Sequence, residues 1–144
     1  MNVLYVTASK ATGGRDGKAG TLDGSFQVSL TTPKELGGPG GDGVNPEQLF
    51  ATGYAACFLS AIKFVAHKEK HVAVGDDASV TAQVGIGSVE IGGFGLEVEL
   101  TIDLPGVDTA VARELVNKAH QVCPYSNAVR NSIDVTLVLS PPKV

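Results

Sequence analysis

The chain has 144 residues, the size of one compact domain, and its 43% apolar against 18% charged residues exclude an extended disordered polymer. A formal charge of −4, from 15 acidic and 11 basic residues with no basic cluster beyond Lys63, Lys68 and Lys70, argues against nucleic acid or an anionic membrane surface as a partner. A mean hydropathy of +0.15 is high for so small a chain and predicts that a second copy covers part of its apolar surface.

The opening MNVLYVTASK has no basic n-region and no apolar stretch of signal-peptide length, so a cytoplasmic location is expected. Residues 2–8 read as a first strand, and residues 9–20, SKATGGRDGKAG, as a glycine-rich connection with Arg15 at its centre. An Asp23-Gly24 pair between short apolar stretches predicts a hairpin whose return strand ends near Leu30. Residues 36–44, LGGPGGDGV, are too rich in glycine for regular structure and read as a mobile loop; no Lys-Ser or Lys-Thr follows to make it a phosphate cradle. Asn45 then caps a helix, with Pro46 at its first position, Glu47 in its first turn and Gln48 completing a capping box. From Leu49 onward the helix is apolar or small on every face, which predicts burial all round, and it turns polar at Lys63 and ends near Lys70 or His71. Its uncharged run, residues 48–62, is 15 residues long, short of the roughly 18–20 that span a bilayer, so no membrane segment is expected.

Residues 79–86 and 96–104 alternate apolar and polar and predict two half-buried antiparallel strands joined by a glycine-rich hairpin carrying a bulge or bend. Asp108 caps a second helix to about Val122, with Val111, Leu115, Val116, Ala119 and Val122 on one stripe. Cys123 closes it ahead of Pro124, a short helical piece runs from Tyr125 to Asn131, and a last strand occupies residues 133–139. The order predicts a single α+β domain over residues 1–144, whose antiparallel sheet wraps a buried central helix.

Two cysteines, Cys57 and Cys123, stand 66 residues apart with no CxxC pair, which excludes a thioredoxin-like motif. A buried cysteine is ordinarily an inert small hydrophobe, and the apolar neighbours Tyr54, Phe58 and Ala61 would raise the thiol pKa of Cys57. Pro46 lies about 16 Å away along the helix, so the dipole cannot offset that; a cation must. Arg15 is one of three arginines; alone it reads as a solvated loop charge, and Glu47 as a first-turn acid, but paired they could aim a guanidinium at a thiolate. Two distant cytosolic cysteines then suit peroxide chemistry, one thiol forming a sulfenic acid and the other condensing with it. An alkyl or lipid hydroperoxide would gain from burying its hydrocarbon against Tyr54, Phe58 and Leu59; hydrogen peroxide would not. Metal binding through His120 and Cys123 or through His67 and His71 fits no structural-zinc spacing, so no metal and no cofactor are expected, and the histidines read as solvated helix-end residues.

The segments GGRDG around Arg15, NPEQLFATGYAACF at residues 45–58 and VCPYSNAVRNS at residues 122–132 resemble the signature segments of the organic hydroperoxide resistance proteins of the Ohr/OsmC family. The resemblance covers essentially the whole chain. It implies a thiol-dependent peroxidase that reduces organic hydroperoxides to alcohols, folded as an intertwined homodimer with active sites at the subunit interface. By that resemblance Cys57 is the peroxidatic and Cys123 the resolving cysteine, Arg15 and Glu47 activate the thiolate, and dihydrolipoyl groups on a lipoylated protein supply the reducing dithiol. Glu47 and Cys57 are ten residues apart on one helix, about 15 Å of rise and about 80° around the axis, so Arg15 and Glu47 are expected to reach Cys57 from the other subunit. The alternative from another class is a non-enzymatic carrier of a lipid-like ligand, or a thiol redox sensor.

Overall fold

The computed structural model describes residues 1–69 and 72–141; the expected helix end at Lys70 or His71, and the pairing of His67 with His71, fall outside them. The structure is α+β and divides into two compact units, Met1–Leu49 and Phe50–Val144.

In the first unit, β1 (Ser9–Thr12), β2 (Lys18–Thr21) and β3 (Gln27–Ser29) form an antiparallel sheet in that order, Ser9 opposite Thr21 and Lys18 opposite Ser29. The Asp23-Gly24 turn joins β2 to β3 as expected, Asp23 accepting hydrogen bonds from Thr21 Oγ1 and from the Ser25 N–H and hydroxyl. Two expectations are corrected. Residues 2–8 form no strand and are exposed, Leu4 by 92% and Tyr5 by 80%. The partner β2 turns away after Thr21, so the last rung available is the Leu22 N–H donating to Ala8 O. The glycine-rich segment after it is instead a hairpin, because the glycines make the turn and the flanking residues pair as β1 and β2. The loop after β3 opens with a single 3-10 turn, Lys34–Leu36. It is tied down where Gly40 N–H donates to Thr32 O, Thr31 Oγ1 to Gly40 O and Val44 N–H to Ser29 O.

Helix α1 (Pro46–Glu69) runs 24 residues, and its capping box is as expected: the Gln48 N–H donates to Asn45 Oδ1 at 2.8 Å and the Asn45 N–H to Gln48 Oε1 at 2.9 Å. The helix is longer than its uncharged run, and by length and composition it is apolar enough to cross a membrane, with a mean hydropathy of 1.6 over its best 18 residues. Here it is the core helix of the second unit. Burial on every face is not observed: Tyr54, Phe58, Ala61, Ile62, Val65 and Ala66 make one buried stripe, while Thr52, Ala56 and Ser60 are exposed. Within its own unit the helix is covered on one side only, and composition does not reveal that.

That cover comes from β4 (Ser79–Ser88), β5 (Phe94–Asp103) and β6 (Val135–Leu139), with α2 (Thr109–Val122) and α3 (Pro124–Val129) between β5 and β6. β4 and β5 form the expected antiparallel hairpin, and its ladder runs unbroken from Ser79 opposite Asp103 to Ser88 opposite Phe94, so no bulge interrupts it. β6 pairs parallel to β5, Val98 opposite Val135, which makes the sheet mixed instead of antiparallel. The two helices supply the crossover that a parallel neighbour requires. Val98, Leu100, Ile102 and Leu104 face the core, as the alternation requires. Asp108 caps α2 by accepting from the N–H groups of Ala110 and Val111, and Ala112, Leu115, Val116 and Ala119 are buried. Val122, placed on that stripe by spacing, is 43% exposed because the stripe turns outward at the helix end.

Candidate active site

Arg15 lies in a single 3-10 turn, Gly14–Asp16, between β1 and β2. The turn is tight: Gly13 has φ 74°, and a Cβ on Gly17 would meet Thr12 O at 1.8 Å, so only glycine closes it. From this turn the guanidinium engages Glu47 as a two-pronged fork, Nη2 to Oε1 at 2.6 Å and Nη1 to Oε2 at 2.9 Å. Glu47 is held in the first turn of α1 by the capping box. Arg15 keeps the Glu47 carboxyl below the usual carboxylate range, against the opposing effect of burial, and Glu47 raises the arginine. The sequence pairing of these two residues is thus observed as a contact within the first unit, and Arg15 sits in an ordered turn instead of a free loop.

The second unit brings the two cysteines together. Cys57 projects from the middle of α1 and is partly buried, whereas Cys123 is fully buried at the junction of α2 and α3. Their sulfurs lie 3.7 Å apart, beyond the roughly 2.05 Å of a disulfide, so the pair is a reduced dithiol. Burial pushes the Cys57 thiol up, the Tyr125 backbone N–H pulls it back, and the neighbouring Cys123 sulfur adds to the rise. Pro124 opens α3 instead of merely stopping α2, which its missing N–H permits at a first helical position. The Cys123 N–H donates to Ala119 O, and its own carbonyl accepts from Asn127 N–H.

Around the sulfurs is an aromatic cluster. Tyr125 lies over α1 where Gly53 has no side chain; a Cβ there would meet Tyr125 Oη at 2.7 Å. Its ring is 5.6 Å from that of Tyr54 and 6.0 Å from that of Phe50. Tyr54 and Phe58 are wholly buried, which corrects the expectation that they form a substrate wall: they are core, and the accessible apolar groups of the cluster are Phe50 and the 38% exposed Tyr125, while Leu59 lies about 200° around α1 from Cys57.

Sequence reasoning also missed a polar chain. Tyr54 Oη is 2.8 Å from Ser126 Oγ, which is 2.9 Å from His120 Nδ1, and an Arg130 Nη donates to His120 O. His120 is therefore not a solvated helix-end residue: its ring packs against Phe58, and burial with the nearby Arg130 charge lowers its pKa. The contact joins residues 72 positions apart, so local pattern gave no signal for it. Among the described residues no three His, Cys, Asp or Glu side chains gather as a metal site, and His67 is exposed.

The first unit of this α+β protein thus carries a fork of arginine and carboxylate on a strand-turn-strand, and the second carries two free cysteines at a helix junction. Residues 38–138 match the model of the OsmC-like protein family, and the chain belongs to the Ohr/OsmC family. It is 56% identical over 138 residues to an organic hydroperoxide resistance protein of Xanthomonas axonopodis pv. citri, covering 96% of each chain. It also resembles the crystal structure of an organic hydroperoxide resistance protein OsmC from Legionella pneumophila, at 48% identity and TM-score 0.91, covering 97% of this chain and 100% of that one. OhrB of Bacillus subtilis matches at 40% identity and TM-score 0.85, over 96% and 100% of the two chains.

Proposed function

We propose that this chain is a cysteine-based peroxidase that reduces organic hydroperoxides to alcohols. The observation that carries the reading is the 3.7 Å approach of Cys123 Sγ to Cys57 Sγ in a reduced pair. The names of its relatives, organic hydroperoxide resistance proteins, support a role in hydroperoxide resistance.

In this mechanism the Cys57 thiolate attacks the outer peroxide oxygen. An S–O bond forms, the O–O bond breaks, and the departing alkoxide takes a proton and leaves as the alcohol, two electrons having passed from sulfur to peroxide. The Cys123 thiolate then attacks the sulfenic sulfur; S–S forms, S–O breaks, and hydroxide leaves as water with the proton Cys123 gave up. A dithiol of the dihydrolipoyl type, carried on a lipoylated protein, reduces the disulfide and is itself oxidised.

Burial alone leaves Cys57 too basic to ionise readily at neutral pH, so a cation is required. Arg15 supplies it and steadies the alkoxide, while Glu47 fixes the guanidinium. The working unit is an intertwined homodimer in a compartment that keeps thiols reduced, the cytoplasm, and Arg15 with Glu47 serves Cys57 of the partner subunit. The apolar surroundings favour alkyl and lipid hydroperoxides over hydrogen peroxide.

The test is steady-state consumption of cumene hydroperoxide and of hydrogen peroxide with dithiothreitol or dihydrolipoamide, for wild type and Cys57→Ser. Preferential turnover of the organic peroxide, abolished by the substitution, is the expected result; no turnover by wild type overturns the reading.

A further inference from the structure

The Ser126 hydroxyl is fully buried and takes part in two hydrogen bonds, one to Tyr54 on α1 and one to His120 on α2. Tyr54 stands three residues before Cys57, His120 three before Cys123, and Ser126 three after Cys123. One oxygen on α3 thus ties the helical turn beside each sulfur to the other. We propose that Ser126, through Tyr54 and His120, is the positioning group that sets the distance between Cys57 and Cys123, and that it governs disulfide closure and not the attack on peroxide.

A buried hydroxyl is costly unless its bonds are made, and here it has two partners, one on each side. A neutral His120 ring satisfies the chain in either direction: Tyr54 Oη donates to Ser126 Oγ and Ser126 to His120 Nδ1, or His120 Nδ1–H donates to Ser126 Oγ and Ser126 to Tyr54 Oη. Burial and the Arg130 charge both favour that neutral ring. Arg130 anchors the far end by donating to His120 O in the last turn of α2. The chain therefore runs from the peroxidatic helix to the resolving helix with a polar partner at every joint.

This inference rests on the peroxidase reading for its rate predictions but not for its equilibrium one. Of the two cysteines, attack on peroxide uses only Cys57, whereas closure needs the sulfurs to move from 3.7 Å to about 2.05 Å. Deleting Ser126 Oγ strands two buried polar atoms and frees the start of α3, so the two sulfurs are held near each other less of the time.

The experiment compares wild type with Ser126→Ala and with Tyr54→Phe, which keeps the ring and removes only the oxygen. Single-turnover reaction with cumene hydroperoxide, with the sulfenic acid trapped by dimedone, separates the attack rate from the closure rate. Equilibration of the dithiol with a glutathione buffer, without any peroxide, measures the stability of the disulfide. Both variants are expected to keep the attack rate within about twofold of wild type and to close at least about tenfold more slowly, Tyr54→Phe losing one hydrogen bond and Ser126→Ala two. Their Cys57 should be carried further to the sulfinic acid, and their disulfide should be about tenfold less stable, roughly 30 mV. Attack and closure falling together, or an unchanged glutathione equilibrium in Tyr54→Phe, overturns the proposal. A wild type that consumes no hydroperoxide overturns the peroxidase reading instead, and the glutathione equilibrium still decides the role of Ser126.

Discussion

Replacing Glu47 by Gln keeps the outline of the Arg15 fork and removes its negative charge. The two bonds, at 2.6 and 2.9 Å, are charge-assisted, but the Arg15 and Glu47 side chains are 36% and 14% exposed, so solvent screens them. The upper end of the range for surface pairs, about 1 kcal/mol, is therefore the appropriate magnitude. For a chain of this length that corresponds to about 2–4 °C in Tm, or roughly 0.5 M in the urea midpoint at a slope of about 2 kcal/mol/M. The pH dependence has a definite sign. Arg15 depresses the Glu47 pKa below its ordinary 4.5, so the stabilisation is present above that unfolded value and is lost as pH falls through the lower folded value. Urea titrations of wild type and Glu47→Gln at neutral pH and at successively lower pH should show a gap that closes in acid. A gap under about 0.3 kcal/mol at neutral pH, or one that persists unchanged in acid, refutes the assignment of this fork as a coulombic tie.

If Arg15 activates Cys57 as proposed, then in Arg15→Ala the pH midpoint of Cys57 alkylation by iodoacetamide should rise by about one unit, and neutral-pH turnover of cumene hydroperoxide should fall about tenfold. An unmoved midpoint removes the arginine from thiol activation. A mixed dimer of Cys57→Ser and Glu47→Ala chains should retain one fully wild-type site and about half the activity if Glu47 serves the other subunit, whereas near-zero activity places both residues in one subunit's site.

Legibility in the sequence follows the range of the interaction. The capping box at Asn45 and Gln48, the Asp108 cap and the alternation of Val98, Leu100 and Ile102 are local devices, and each is legible from residues a few positions apart. The strand expected over residues 2–8 fails because β-forming composition states a capacity for pairing and not the presence of a neighbour. β6 is legible as a strand, but its parallel pairing depends on where the crossover helices deliver the chain. Among the candidate site residues, Cys57 and Cys123 stand out by residue type, whereas Arg15 and Glu47 read alone as a loop charge and a first-turn acid and are singled out by the resemblance of the segments that carry them. Ser126 escapes notice and His120 is misread as a solvated helix-end residue, because a serine and a histidine carry no signature of this contact until the fold places them beside Tyr54.

Cys123 ends one helix and begins the next, with its N–H bound backward to Ala119 and its carbonyl bound forward to Asn127. The thiol is thus mounted on the single pivot between two rigid rods. On the proposed mechanism, closing the gap of 3.7 Å to bonding distance is a swing of about 1.6 Å at that pivot, small enough that Val116 and Ala119 would keep their places in the core.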